Sequence, residues 1–340
     1  MSTARALLMT APAPKQADIP IGVDQSRPLP SHGVLGLAAH LRANGVETAF
    51  HDLFFFPESL TKLVSEARPD VVGVSATSIS IPEVRDLVSR LRALLGPSKK
   101  IVLGGPLAGL DPDRVPGEVD HIIQGEGEGP LLDLCRGRVL PRIARYPALS
   151  VDDMLRMPLF NLDDFLRFPY CTDWDLFGMA APVITLNTSR GCPFGCRFCS
   201  ARILWERRYK ALPAEHVVSE AAKIRSRFNF ESIYFREDNF AVRTKRVREF
   251  CDLIPRHLPG VTWAVESRAD HLDLPLLKRM AAAGCRGIFV GIESFSQRML
   301  DAMNKGTTAE QNIRFLENCR KAGIQTLATM CYRSEEHTSE

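Results

Sequence analysis

The sequence predicts an α/β protein built as two units in series. The first is an N-terminal doubly wound (Rossmann-like, flavodoxin-type) parallel-sheet domain, and the second a partial (β/α)6 TIM-like barrel that stops after about its fifth strand. Three observations predict this. Short apolar runs alternate with helix-periodic segments through both halves of the chain. An irregular, proline-containing stretch separates the halves. In the second half, polar residues gather where the strands end.

The first unit, residues 1–135, opens on the apolar run Ala6–Met9 and a Pro-rich loop. Val34, Leu37, Ala38 and Leu41 then recur at i, i+3, i+4 and i+7, the face of a helix, and Asn44-Gly45 ends it. Val46–Leu53 is the next strand. DVVGVSAT, Asp70–Thr77, is a near-continuous apolar run, as expected of a parallel strand buried on both faces. Val84, Leu87, Val88 and Leu91 mark a second helix, and IVLGGP (Ile101–Pro106) and HIIQGE (His121–Glu126) are two further strands. Open parallel sheets bind ligands at the carboxyl ends of their strands. Those ends carry Ser75, Thr77, Gly104, Gly105, Gly125, Glu126 and Gly127, the candidate binding residues of this unit. Such glycines also occur as ordinary turns, and no G-x-G-x-x-G follows the first strand, which disfavours a dinucleotide.

Residues 136–180 read as a connector of mixed charge, with arginines forming a solvated face. The second unit, 181–333, repeats strand and helix. Its strands are Ile184–Asn187, Ser232–Phe235, Thr262–Arg268, Gly287–Ile292 and Gln325–Tyr332. Between them lie helices over Pro213–Phe228, Thr244–His257, Pro275–Ala283 and Thr308–Ala322. Active sites of barrels lie at the carboxyl ends of the strands. Here those ends carry a cysteine loop, then Arg236–Asn239 (REDN), Glu266–Arg268 (ESR) and Glu293-Ser294. The tail, 334–340, has no apolar periodicity and reads as a truncation or a non-native end, leaving the barrel without its sixth strand.

The loop after the first barrel strand reads NTSRGCPFGCRFCSA and places Cys192, Cys196 and Cys199 at C-x3-C-x2-C spacing. Three thiolates on one tight loop can hold three irons of a [4Fe–4S] cluster, leaving the fourth iron open. Zinc is the alternative, since three cysteines and a histidine make a zinc site. The loop itself supplies no fourth ligand, and His216 lies beyond a helix start. The six other cysteines each stand singly, as small buried hydrophobes do.

With Phe198 in the aromatic slot before its last cysteine, this loop resembles that of the radical SAM superfamily. The succession SHGVLGLAAHLRANG, DVVGVSAT, VLGGP and IIQGEGEGPLLDL resembles the cobalamin-binding domain that precedes many such enzymes. The whole is similar to the cobalamin-dependent radical SAM family over residues 31–330. That resemblance implies a [4Fe–4S] cluster on Cys192, Cys196 and Cys199, S-adenosylmethionine (SAM) on the open iron, and cobalamin on the first unit. It implies SAM contacts from Phe198, Glu237, Asp238, Ser267, Arg268, Glu293 and Ser294. It departs in one respect: D-x-H-x-x-G, whose histidine replaces the lower ligand of cobalt in other cobalamin proteins, is absent. His51 and His121 read as structural rather than as cobalt ligands.

The function implied is cleavage of SAM to a 5′-deoxyadenosyl radical, with cobalamin carrying a methyl group from one SAM to an unactivated carbon or a phosphorus. Cobalamin-assisted cyclisation or rearrangement without methyl transfer is the second reading, and a non-catalytic metal- or cobalamin-binding fragment the third. The implied partners are a small-molecule or peptide natural-product substrate and an external electron donor such as flavodoxin or ferredoxin. Composition adds exclusions. Of 340 residues, 45% are apolar and 24% charged, and the net charge of +3 is spread along the chain, which argues for neither nucleic acid nor an anionic membrane surface. No apolar run reaches a membrane span and no signal peptide is legible, so the expected location is cytoplasmic.

Overall fold

The computed structural model describes residues 4–12, 28–55, 60–173 and 177–331. The chain divides into two compact units, Met1–Tyr170 and Cys171–Glu340. The tail 334–340 and Tyr332 of the expected last strand lie outside the described residues.

Among the described residues of the first unit, six strands form one parallel sheet: β1 Arg5–Thr10, β2 Glu47–Asp52, β3 Val71–Ser75, β4 Lys100–Gly104, β5 His121–Gln124 and β6 Ile143–Arg145. Their spatial order is β2-β1-β3-β4-β5-β6. The direction of winding therefore reverses between β1 and β3, which creates a switch point at their carboxyl ends. The central strands are apolar on both faces because helices cover both. His32–Ala43 and Ile81–Leu95 bury Leu35, Ala38 and Leu41, and Val84, Leu87, Val88 and Leu91. The stretch expected as an irregular connector contributes β6 and two short helices, Val151–Leu155 and Leu162–Leu166. Its last part is tied to β2. Tyr170 Oη donates to Asp52 Oδ2 at 2.8 Å, Thr10 Oγ1 donates to Asp52 Oδ1 at 2.6 Å, and Arg42 pairs with Asp164. Phe168 packs edge-on against Phe50 and His51. Arg167 Nη1 also donates to Phe50 O at 3.2 Å, which occupies part of the β2 edge of the sheet.

Five strands form the second parallel sheet: β7 Val183–Leu186, β10 Ser232–Phe235, β11 Thr262–Arg268, β12 Cys285–Glu293 and β13 Gln325–Met330. Two short strands, β8 Ser189–Arg190 and β9 Lys210–Ala211, pair separately and antiparallel. The order β13-β12-β11-β10-β7 makes every strand the neighbour of its predecessor, as in a barrel wall. Side chains alternate across this wall. Phe235 and Trp263 face the helices, where they pack with Phe240 and Phe250, and Trp263 Nε1 donates to Ala283 O at 2.9 Å. Tyr234, Glu266 and Arg268 point to the opposite, inner face. Gly287 also lies on the inner face, where a Cβ would come within 2.0 Å of the Phe177 ring. That ring therefore covers the inner face near its amino end.

Candidate active site at the strand ends of the second unit

The cysteine loop leaves β7 and is fixed before it reaches its first cysteine. Glu237, two residues past the end of β10, is buried beneath it. Its Oε1 accepts from Thr188 N at 2.9 Å and from Thr188 Oγ1, and Oε2 accepts from Ser189 Oγ. Arg246 Nη1 stands 3.8 Å from the same carboxylate, and Arg246 also donates through Nε to Leu212 O at 2.8 Å. The sequence suggested a SAM-facing role for Glu237, but its carboxylate is committed to the chain's own loop. Asp238 is nearer the cysteines. Burial pushes its carboxyl above the usual carboxylate range, opposed by a hydrogen bond from the Gly191 backbone N–H.

The three cysteines follow on a turn in which Cys199 N donates to Cys196 O at 3.2 Å. Cys196 is buried and the other two half-buried, all as free thiols. Burial raises the Cys192 thiol, offset by the Phe194 N–H. Burial also raises Cys199, offset by the Ala201 N–H, and nearby Asp238 raises both further. Thiols in this state release protons when they take up metal. The far side of the loop rests on residues 302–305. Arg197 N donates to Met303 O at 2.8 Å, Arg197 Nη1 to Ala302 O at 3.1 Å, and Asn304 Nδ2 to Gly195 O at 2.9 Å.

Around the loop, Arg268 ends β11 with Nη1 at 3.4 Å from Cys196 Sγ. Ser267 points the other way, its hydroxyl donating to Arg268 O at 3.2 Å and lying 3.5 Å from Asn239 Oδ1. Glu293 adopts φ +64, a left-handed backbone that costs a side-chain-bearing residue about 1–2 kcal/mol. It is held there by Lys305 Nζ at 3.0 Å and by its carbonyl, which accepts from Cys331 N at 2.9 Å. Ser294 is fully buried, and its Oγ accepts from Ser296 N at 3.0 Å. Phe198 is 47% exposed, with Lys305 Nζ 5.7 Å from its ring centre.

Sequence reasoning passed over four residues here: Asn239, Glu266, Asp270 and Lys305. Asn239 lay in plain sight within REDN; its Nδ2 is buried and meets no partner among the described residues. Glu266 lay within ESR; burial raises its carboxyl, and Tyr234 Oη donates to it. Asp270 pairs locally, with Arg268, in a loop that showed no periodic signal, and Lys305 carried none because its contacts with Glu293 and Arg268 lie 12 and 37 residues away.

The donor set fits an iron–sulfur cluster. Three cysteines stand on one loop, with an arginine and a lysine close by to balance thiolate charge. Among the described residues no group of three or more His, Cys, Asp and Glu side chains forms a site for a single ion. A cubane differs in giving each thiolate its own iron.

In the first unit the candidate residues lie at or just past the carboxyl ends of β3, β4 and β5. Gly125 has φ +85, and a Cβ there would meet nothing within 4 Å. Gly105 has φ +81 and lies so close to Ser75 and Ala76 that a Cβ would come within 2.6 Å of Ser75 Oγ. Thr77 caps the turn Ser78–Ser80, next to Ile79, which is 72% exposed. Glu126 accepts from Leu149 N at 2.8 Å, and Gly127 packs on Leu37. These carboxyl ends form a floor, open at Gly125, at the position where an open parallel sheet takes its ligand. His121 lies at the amino end of β5, 3.0 Å from Pro141 O through Nδ1, away from that floor.

A family model for the radical SAM superfamily matches residues 186–337, and one for the B12 binding domain matches residues 26–134. An uncharacterized methyltransferase, PH0819, of Pyrococcus horikoshii is 26% identical over 302 residues, covering 85% of this chain and 65% of the relative. The anaerobic magnesium-protoporphyrin IX monomethyl ester cyclase of Rubrivivax gelatinosus is 28% identical over 346 residues, covering 92% of this chain and 60% of the relative. The chain therefore spans less than two thirds of the length of either. The fold is shared with the radical SAM methyltransferase TsrM of Kitasatospora setae, solved with cobalamin and a [4Fe–4S] cluster bound. That likeness has a TM-score of 0.71 at 18% identity and covers 96% of this chain and 69% of that one. No helix among the described residues is long and apolar enough to cross a membrane. A radical SAM domain brings a [4Fe–4S] cluster and SAM, and a B12 binding domain brings cobalamin; these are the cofactors of this chain. With the one domain ahead of the other, and the cysteine loop opening the second, the chain belongs to the cobalamin-dependent radical SAM family.

Proposed function

We propose that this chain is the cofactor-binding part of a methyltransferase acting on an unactivated carbon or a phosphorus of a small-molecule or peptide natural product. The observation that carries it is the cysteine loop, set among Arg268, Lys305 and Asp238 in a chain whose first unit is a B12 binding domain. When bound, the cofactors supply a 5′-deoxyadenosyl radical from SAM and a methyl group carried on cobalt. The chain's own residues hold and shelter them. Cys192, Cys196 and Cys199 are the cluster ligands, and Glu237 with Arg246 secures the entry of their loop. Asp238, Glu293, Ser294 and the Phe198 ring bound the space for SAM, with the buried Asn239 amide as a further donor. Ser75, Thr77, Gly104, Gly105, Gly125, Glu126 and Gly127 form the cobalamin floor.

Anaerobic reconstitution should give a brown protein with about four irons, lost when the three cysteines are changed to alanine. One zinc and no iron would overturn the reading. With SAM and a reductant, release of S-adenosylhomocysteine alongside 5′-deoxyadenosine supports methyl transfer. A second reading, cyclisation or rearrangement without methyl transfer, is favoured by the likeness to the cyclase over 92% of the chain. It predicts 5′-deoxyadenosine without S-adenosylhomocysteine. Neither product from a chain holding its cluster would indicate a binding role alone.

The electron donor is proposed to be an acidic protein such as flavodoxin or ferredoxin. Between 197 and 208 the exposed side chains include Arg197, Arg202, Arg207 and Arg208 against a single acid, Glu206. The overall charge of only +3 makes this local excess directional. Electrostatic steering gains about tenfold or more in association rate and falls with salt. Cluster reduction by flavodoxin should therefore slow steeply as salt rises, and the charge reversals R202E and R207E together should flatten that dependence. A salt-independent rate in the unaltered chain would count against an acidic donor.

A further inference from the structure

The sequence marked Arg268 as a ligand for the SAM carboxylate or ribose. Its surroundings say otherwise. Nε donates to Asp270 Oδ1 at 3.0 Å and Nη2 to Asp270 Oδ2 at 2.9 Å, a two-point bond that fixes the plane of the guanidinium. Nη2 also donates to Lys305 O at 2.7 Å. The Phe194 ring covers one face, with its centre 4.0 Å from the guanidinium carbon. The residue is 5% exposed. Asp270 and the Lys305 carbonyl would be enough to anchor a purely structural arginine. The remaining terminal nitrogen, Nη1, meets one acceptor among the described residues, the Cys196 sulfur at 3.4 Å.

Building on the cluster assignment above, we propose that Arg268 is a potential-tuning residue that donates a hydrogen bond from Nη1 to the Cys196 thiolate. A hydrogen bond from a cation withdraws charge from the sulfur, and through it from the iron. The added electron of the reduced state gains more from this than the oxidised state does, so the reduction potential rises. The neighbouring carboxylate makes the donor directional. Asp270 and Lys305 O consume the other edges of the fork, which leaves Nη1 aimed at the sulfur. The Phe194 face and burial keep water from competing for it. Arg268 thus joins three parts of the unit: the cysteine loop, the end of β11 and the segment after Gln297–Ala302.

The full chain is reconstituted anaerobically and its iron counted. It is then titrated potentiometrically, with the reduced cluster followed by electron paramagnetic resonance. In R268Q the reduction equilibrium should shift about tenfold toward the oxidised cluster, equivalent to about 59 mV lower potential for one electron. R268K, which keeps a cation but loses the fork, should lie between R268Q and the unaltered chain. A second readout needs no variant. In the unaltered chain labelled with [15N]arginine, the reduced cluster should show nitrogen hyperfine coupling together with an exchangeable proton. Absence of that coupling overturns the proposal even if R268Q does not fold or load. So does an unchanged potential in a loaded R268Q. Both of those leave the four-iron reading standing, whereas an unaltered chain that takes up zinc and no iron removes both together.

Discussion

Replacing Glu237 with alanine is expected to destabilise the second unit by about 3–5 kcal/mol, the cost of removing one partner of a buried ion pair. The carboxylate accepts from Thr188 N, Thr188 Oγ1 and Ser189 Oγ and faces Arg246, all buried. Without it Arg246 keeps its bonds to Leu212 O and to Thr188, together with the Phe250 ring 4.8 Å from its guanidinium carbon, but its charge is uncompensated. All three donors also lose their acceptor in a dry place, since Thr188 and Ser189 are both buried. Chemical denaturation of the cofactor-free chain, followed on the transition of the second unit, measures the effect. Changing Arg246 to methionine in the same variant should restore part of the loss, because it removes the stranded charge. A loss under about 1 kcal/mol in the single variant would mean the pair is solvated, and the account of the loop's anchoring would fail.

Gly191→Ala is expected to abolish cluster loading. Gly191 precedes the first cysteine and has φ +83. A Cβ there would fall 2.2 Å from Arg208 O and 2.9 Å from the Trp205 Cβ. The left-handed backbone alone costs an alanine about 1–2 kcal/mol. The overlap is worse, because Arg208 O is backbone and adjoins the β8–β9 pair, so no rotamer change relieves it. The loop must move, and with it the Gly191 N–H that bonds Asp238. Iron per chain after reconstitution should fall to near the level of the triple cysteine variant, while the unfolding of the first unit is unchanged. Full loading of Gly191→Ala would show that the loop tolerates displacement.

Much of this protein is legible in its residues in order. The apolar runs of β3 and β4, the helix face of Val84, Leu87, Val88 and Leu91, and the strand ends of the second unit all follow from local periodicity. The spacing of Cys192, Cys196 and Cys199 was legible as a candidate cluster loop, because the three cysteines sit within eight consecutive residues. β6 was not legible. Its three residues, Ile143–Arg145, are too few for a period, and they become a strand only because β5 offers a free edge.

The roles of the polar residues around the loop were decided by tertiary structure. Glu237 and Asp238 are adjacent and alike in sequence, yet one is locked under Thr188 and Ser189 while the other lies beside the cysteines. Arg268 reads as a free carboxylate binder until Cys196, Asp270 and Lys305 O are brought around it. The contacts with Cys196 and Lys305 span 72 and 37 residues. Period and spacing report only which face of its own element a side chain takes. What a charged group does there depends on which distant groups the folded chain has already given it, and in a site this dry nearly every such group has been given one.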